Sequence, residues 1–290
     1  MRDDFVAIIL SHGRADRVET YKTLRSAGYT GPIRIVVDDE DDSLNEYQEK
    51  YPGEVLVFSK REISKTFDVA DNRRDFSSVI YARNAAPTLV KSLGYKYFIE
   101  LDDDYGSWFY RYDRDLNYSS FRIRCTMDDL LEAMVEFLES TPTKTVCMSQ
   151  GGDHIGGRKK KIGLKRKAMN TFVCDVDRPY QFVGRMNDDV NTYVIETLRG
   201  GLCFTIENAQ VNQLATQSNA GGLTEMYLDS GTYVKSFYSV LYAPAAVKIS
   251  TLQDPRSPHV RIHHAINWNA VAPKIVRESV RKSRRPLDSE

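Results

Sequence analysis

Along the first hundred residues, short unbroken apolar runs alternate with polar stretches of helical repeat. Phe5-Val6-Ala7-Ile8-Ile9-Leu10, Pro32-Ile33-Arg34-Ile35-Val36-Val37 and Val55-Leu56-Val57-Phe58 read as strands. The first of these is too continuous to leave one face in water, as buried parallel strands are. Helices are predicted over about 16–27, stopped by Gly28, and near 43–50, before Pro52-Gly53. Another, over roughly 76–93, ends at Gly94 and leads into Tyr97-Phe98-Ile99-Glu100-Leu101-Asp102. Strand–helix alternation of this kind builds right-handed βαβ units, hence an α/β fold with a Rossmann-type, mostly parallel sheet flanked by helices.

Further on, Leu130, Leu131, Met134, Val135 and Leu138 give 127–140 one apolar side. Strands are predicted at 145–148, 202–206 and 246–249. A helix over 188–198 opens on aspartates and closes at Gly200-Gly201, and a last helix starts near Pro273. The expected organisation is one domain over 1–270, in halves 1–105 and 106–270, with a basic tail over 271–290.

At 290 residues, with 41% hydrophobic and 28% charged residues, the chain has the composition expected of an ordinary soluble globular protein. No apolar run approaches the roughly 18–20 residues of a membrane span, and the start lacks a secretion signal, so membrane insertion is not expected. Cys125, Cys147, Cys174 and Cys203 are widely scattered, which argues against a zinc knuckle or disulfide frame and for a reducing, cytoplasmic setting. Net charge is zero, but residues 1–150 hold 20 Lys and Arg against 27 Asp and Glu, and 151–290 hold 20 against 13. An acidic half joined to a basic half suits an enzyme with a polyanionic partner.

The chemistry concentrates where the strand over 97–102 breaks off into Asp102-Asp103-Asp104. Ligands of open α/β sheets gather beyond the carboxyl ends of strands. Three adjacent acids there repel one another unless a cation sits among them, and a hard divalent ion is the simplest answer. Alternation puts Asp102 and Asp104 on one side and Asp103 on the other. The expectation is a metal site gripping the diphosphate of a nucleotide-linked substrate. A second feature is Met186-Asn187-Asp188-Asp189, an acid pair at a helix start. The third is the segment 158–167, with seven positive charges in ten residues, flanked by Gly151-Gly152 and Gly156-Gly157. It suits phosphate contacts that carry no sequence information.

The ordered set Ser11-His12-Gly13-Arg14-Ala15-Asp16-Arg17, Val36-Val37-Asp38-Asp39, Ala82-Arg83-Asn84 and Tyr97–Asp104 resembles the GT-A glycosyltransferases. Within them it is closest to the TET/JBP-associated enzymes, thought to place sugars on hydroxymethylated pyrimidines in DNA, many of them virus-encoded. The resemblance implies that Ser11, His12 and Arg14 line the donor, with Arg14 or Arg17 near phosphate, and that Asp38 meets base or ribose. Arg83 would approach the diphosphate or brace the aspartates, and Asn84 would order the helix start. Asp102 and Asp104 would hold Mn²⁺ or Mg²⁺, with Asp102 and Asp103 also on the donor side. Asp189 would remove the acceptor proton with Asp188 capping or orienting it, although the two could exchange roles. His263 or His264 would complete the metal shell.

Taken together, the resemblance implies a metal-dependent transferase moving a sugar from a UDP-sugar to a hydroxymethylpyrimidine in DNA. Arg158, Lys159, Lys160, Lys161, Lys165, Arg166 and Lys167 would contact the DNA. Two other readings fit the same residues: a transferase acting on a glycan, lipid or protein, and a non-catalytic nucleic-acid-binding protein.

Overall fold

The computed structural model describes residues 1–71, 76–154, 167–213, 234–253 and 260–271. Its strands are β1 (Phe5–Leu10), β2 (Ile33–Asp38), β3 (Val55–Phe58), β4 (Tyr97–Asp102), β5 (Tyr105–Tyr112), β6 (Tyr118–Arg122), β7 (Thr145–Gln150), β8 (Phe172–Asp175), β9 (Cys203–Gln213), β10 (Val247–Gln253) and β11 (Val260–Ile266). Its helices are α1 (Glu19–Ser26), α2 (Leu44–Lys50), α3 (Lys60–Ile63), α4 (Ile80–Ser92), α5 (Met127–Ser140), α6 (Asp188–Leu198), α7 (residues 234–242) and α8 (Trp268–Val271).

Nine strands form one sheet in the order β3-β2-β1-β4-β8-β7-β9-β5-β6, and β10 pairs with β11 in a separate antiparallel ribbon. The first four strands of that order are parallel. Beyond them β8 runs antiparallel to β4, β7 is parallel to β9, and β5 is antiparallel to both β9 and β6. The expected α/β architecture is therefore present, with the parallel βαβ part on one side of β4 and the reversals on the other.

β1 explains why its sequence is uniformly apolar. Phe5, Ala7 and Ile9 enter one core with α1 and α5, while Val6, Ile8 and Leu10 enter the other with α4 and α6. On α5 the expected apolar side is buried through Leu131, Met134, Val135 and Leu138, each worth about 1.5–3 kcal/mol when fully withdrawn from water. Gly28 ends the α1 turn at φ +95°, and a Cβ there would lie 2.3 Å from the Cys125 backbone, so the chain has no room for another residue.

Two helix starts differ from the pattern. Ala15 and Asp16 form a turn and α1 begins at Glu19, and α4 begins at Ile80 rather than 76. Ser78 explains the second shift: its hydroxyl donates to the Arg185 carbonyl at 2.7 Å, which docks the segment before α4 onto the chain entering α6. β5, β6 and β8 were not foreseen. All four cysteines are free, three of them buried and Cys125 exposed. Among the described residues no helix is long and apolar enough to cross a membrane. The segment 155–166 and the last helix expected from Pro273 lie outside the described residues.

Candidate active site

Strand register gathers the polar loops. Leu10 lies opposite both Val36 and Asp102. The loops after β1, β2 and β4 therefore leave the same sheet edge side by side, where α/β ligands bind. Asp103 is buried against the β1 loop: it accepts from Ser11 Oγ at 2.6 Å and Arg14 Nη1 at 3.0 Å. Burial holds its carboxyl above the ordinary range, against the pull of Ser11 and Arg14. The Tyr47 hydroxyl meets Ser11 Oγ at 2.6 Å and receives the Arg14 N–H at 2.9 Å. Asp103 thus shapes the loop expected to line the donor. Arg17, by contrast, is largely exposed and pairs among the described residues with Asp16, at 3.4 Å.

The Asp38 carboxylate is buried and engaged. His12 Nδ1 lies 2.6 Å from it, Lys60 Nζ 3.0 Å, and the Glu40 N–H 3.2 Å. Burial opposes its ionisation, but His12 and Lys60 outweigh that and bring the group down to about 2. Asp41 joins the cluster 3.2 Å from His12 and accepts the Gly13 N–H at 2.7 Å. His12, Asp38 and Asp41 lie close enough to hold an ion, yet Lys60 already neutralises Asp38 there.

Asp102 and Asp104 behave differently. Asp102 is partly exposed and receives Arg83 Nη2 at 3.1 Å. Among the described residues, Asp104 Oδ2 meets Gln213 Nε2 at 3.4 Å, and Asp104 Oδ1 is buried without a hydrogen-bond partner. Burial, with Asp102 and Asp103 nearby, pushes the Asp104 carboxyl up to about 6. An orphaned buried carboxylate oxygen is costly, and a divalent cation fits it: hard ions take carboxylate oxygens.

Arg83 connects this edge to the second acid pair. Its buried guanidinium donates to Asp188 Oδ2 at 2.8 Å and to Asp102, and its Nε lies 3.6 Å from Glu100 Oε1. Phe172 and Phe182 flank it, their ring centres 5.1 and 5.3 Å away. Burial opposes its charge, but Asp188, Asp102 and Glu100 overcome that and hold it cationic. One cation does not satisfy three acids. Burial holds Glu100 well above its usual range, and burial with Asp189 and Asp102 lifts Asp188 to about 6 against the pull of Arg83.

The start of α6 corrects one expectation. Asn187, at φ 58°, occupies the cap position, and no side chain caps the helix. Asp188 is instead the first helical residue and turns inward to Arg83, leaving Asp189 as the half-buried member of the pair. Asn187 Nδ2 donates to Ser239 Oγ at 2.6 Å and lies 3.3 Å from His264 Nδ1. This brings His264, rather than His263, beside the acid pair. Burial, with His263, Lys235 and Lys167 nearby, drives the His264 imidazole down to about 3, so it is neutral. His263 Nδ1 donates to the His264 carbonyl at 2.6 Å.

Two more expectations change. Asn84 lies inside α4 and does not order its start: its amide donates to the Phe182 carbonyl at 3.0 Å and accepts the Phe182 N–H at 2.9 Å. Both ends of the side chain are taken up in clamping the segment before α6. Lys167 is ion-paired with Asp153 at 2.7 Å, so its charge is already met. Arg158, Lys159, Lys160, Lys161, Lys165 and Arg166 lie outside the described residues. Glu100, Lys60 and Asn187 were missed. Only Glu100 carried a signal, since it stands two residues before Asp102 and shares its face.

No curated protein sequence matches the chain. Its structure is similar to glucosyl-3-phosphoglycerate synthase of Mycobacterium tuberculosis, solved with Mg²⁺ and UDP, at 8% identity and TM-score 0.49, covering 90% of this chain and 87% of that one. It is also similar to the mannosyltransferase PcManGT of Pyrobaculum calidifontis, solved with GDP-Man and Mn²⁺, at 10% identity and TM-score 0.46, covering 84% and 74%. A third is S. aureus TarS 1-349, at 12% identity and TM-score 0.43, covering 74% and 61%. The profile of one sequence family matches residues 5–222, three quarters of the chain, including every strand-end acid described above and the Asp188-Asp189 pair. The chain belongs to the TET-associated glycosyltransferase family.

Proposed function

We propose that this glycosyltransferase is of GT-A type and moves a sugar from a UDP-sugar to the hydroxyl of a hydroxymethylpyrimidine in DNA, with Mn²⁺ or Mg²⁺ bound. The observation that carries the reading is the Arg83 bridge between Asp102, on the donor edge, and Asp188, at the start of α6. It joins two acid sets of opposite duty at one place. Family membership supports a DNA acceptor.

In this reading residues 1–105 form the donor half and 106–270 the acceptor half. Ser11, His12 and Arg14 line the nucleotide, held by Asp103, Asp38 and Tyr47. Asp102 and Asp104 hold the cation, and His264, which meets Asn187, is the histidine assigned to its shell. A cation there supplies positive charge to the departing diphosphate. Asp189 takes the acceptor hydroxyl proton as that oxygen bonds to the anomeric carbon and the bond from that carbon to the diphosphate oxygen breaks. Asp188, taken up by Arg83, positions its neighbour. Arg158, Lys159, Lys160, Lys161, Lys165 and Arg166 contribute further phosphate contacts.

The test is incubation of hydroxymethylated DNA with a panel of UDP-sugars and Mn²⁺, followed by mass analysis of the released nucleosides. A nucleoside heavier by one sugar residue is expected. Donor hydrolysis with no modified nucleoside would remove DNA as the acceptor and leave the glycan, lipid or protein reading.

A further inference from the structure

On the face of the β9–β5–β6 sheet turned away from the α1–α5 core, α6 and the turn at 151–154 pack against β9, and β5 and β6 continue the sheet beyond β9 to its edge. Trp108 and Tyr110 pack into that core, so their neighbours Ser107, Phe109 and Arg111 present to the other side. Cross-strand partners share a face. Phe109 lies opposite Arg122 on β6, and Ser107 lies opposite Asn212 on β9. The contacts agree: Arg111 Nη1 donates to Ser120 Oγ at 2.8 Å, Asn212 Nδ2 to Ser107 Oγ at 3.4 Å, and the Arg111 guanidinium lies 5.2 Å from the Phe109 ring centre.

None of Ser107, Phe109, Arg111, Ser120, Arg122 and Asn212 is acidic, and Arg122 is exposed with no ion pair among the described residues. Nearby Asp113 is occupied within the β5–β6 turn, accepting the Asp115 and Asn117 N–H groups at 3.0 and 2.8 Å. The face also has a defined origin. β5 starts one residue after Asp104, and Gln213, which meets Asp104, is the neighbour of Asn212 on β9.

We infer that this face is the track on which the acceptor polynucleotide lies as it leaves the site. Arg111 and Arg122 meet phosphates, Phe109 offers a ring for a base to stack on, and the Ser and Asn side chains hydrogen-bond to the backbone. Guanidinium, aromatic and neutral polar groups without carboxylates are what nucleic-acid surfaces use. The inference rests on DNA being the acceptor, and it names the surface that holds it.

The experiment measures fluorescence anisotropy of a labelled plain DNA duplex with the full chain over a salt series. Arg122→Glu is compared with Lys22→Glu, which makes the same charge change on the exposed side of α1. Arg122→Glu is expected to weaken binding about tenfold or more and to flatten the salt slope by about one phosphate contact or more. Lys22→Glu should stay within about twofold, and Arg122→Lys should retain most of the slope. Equal weakening by both charge reversals, or by neither, overturns the track while leaving DNA as an acceptor. A wild-type chain with no salt-dependent affinity for DNA overturns the track and the acceptor together. Selective loss at Arg122 without sugar transfer to hydroxymethylated DNA upholds the face as a DNA-binding surface and overturns its role as an acceptor track.

Discussion

Arg83 Nη1 donates to Asp188 Oδ2 at 2.8 Å across 105 residues of sequence. With its other nitrogens facing Asp102 and Glu100, this one guanidinium is shared among three acids in a setting closed by Phe172 and Phe182. Removing one member of a buried ionic cluster leaves the rest uncompensated. Arg83→Met should therefore lower the unfolding free energy by about 3–5 kcal/mol in urea titrations. Adding Asp188→Asn and Glu100→Gln to that variant should cost less than the sum of the three single changes. Strict additivity would show that Arg83 does not hold the acids together.

Asp104 lies outside that cluster. Its Oδ1 is buried and unmet, so the wild-type chain should gain thermal stability from Mn²⁺ with UDP. In Asp104→Asn the carboxylate becomes a neutral amide that ligates poorly. Turnover should fall by at least about 10³-fold, and the Mn²⁺-dependent part of the thermal shift should vanish. Normal turnover in this variant would move the cation elsewhere.

The edge of the site was legible in the sequence because it follows from one strand. The apolar run 97–102 fixes a buried strand, alternation separates Asp103 from its neighbours, and parallel pairing brings the acids after β2 and β4 to one edge. What joins that edge to α6 was hidden, because the ion pair from Arg83 to Asp188 depends on how α4 and α6 pack on the same sheet face. Asn84 shows the same limit. Its place in an Ala-Arg-Asn run suggests a role in ordering the helix start, whereas its amide closes on the Phe182 backbone, a pairing 98 residues distant that no local pattern encodes. β5 and β6 escaped for another reason: their aromatics and arginines lack the strict polar–apolar alternation of a half-buried strand.

Asp188 and Asp189 should separate kinetically. Asp189→Asn removes the base but leaves the Arg83 cluster intact, so kcat should drop by about 10²–10⁴-fold with donor KM little changed. Asp188→Asn leaves Arg83 facing Asp102 and Glu100 alone, and should lower stability as well as rate. Donor-binding loss confined to Asp189→Asn would place the base elsewhere.

The His12–Asp38–Lys60 cluster predicts how stability depends on pH. His12 has its pKa raised above 6.5, first by the hydrogen bond to Asp38, with burial and Lys60 opposing. A raised histidine contributes stability that is complete below pH 6.5 and is lost as pH climbs through the folded value. Asp38 has the opposite sign. Its pKa of about 2 lies below the ordinary 3.8, so its contribution is complete above pH 3.8 and is lost as pH falls toward 2. Both are in force together only between about pH 4 and 6.5. His12→Asn should accordingly flatten the decline in urea midpoint between pH 6 and 9, while leaving most of the acid limb, because Lys60 still faces Asp38. Asp38→Asn should flatten both limbs at once, since it removes the partner that raises His12. An alkaline decline that persists unchanged in His12→Asn would show that the imidazole is not bound to Asp38 in the folded protein.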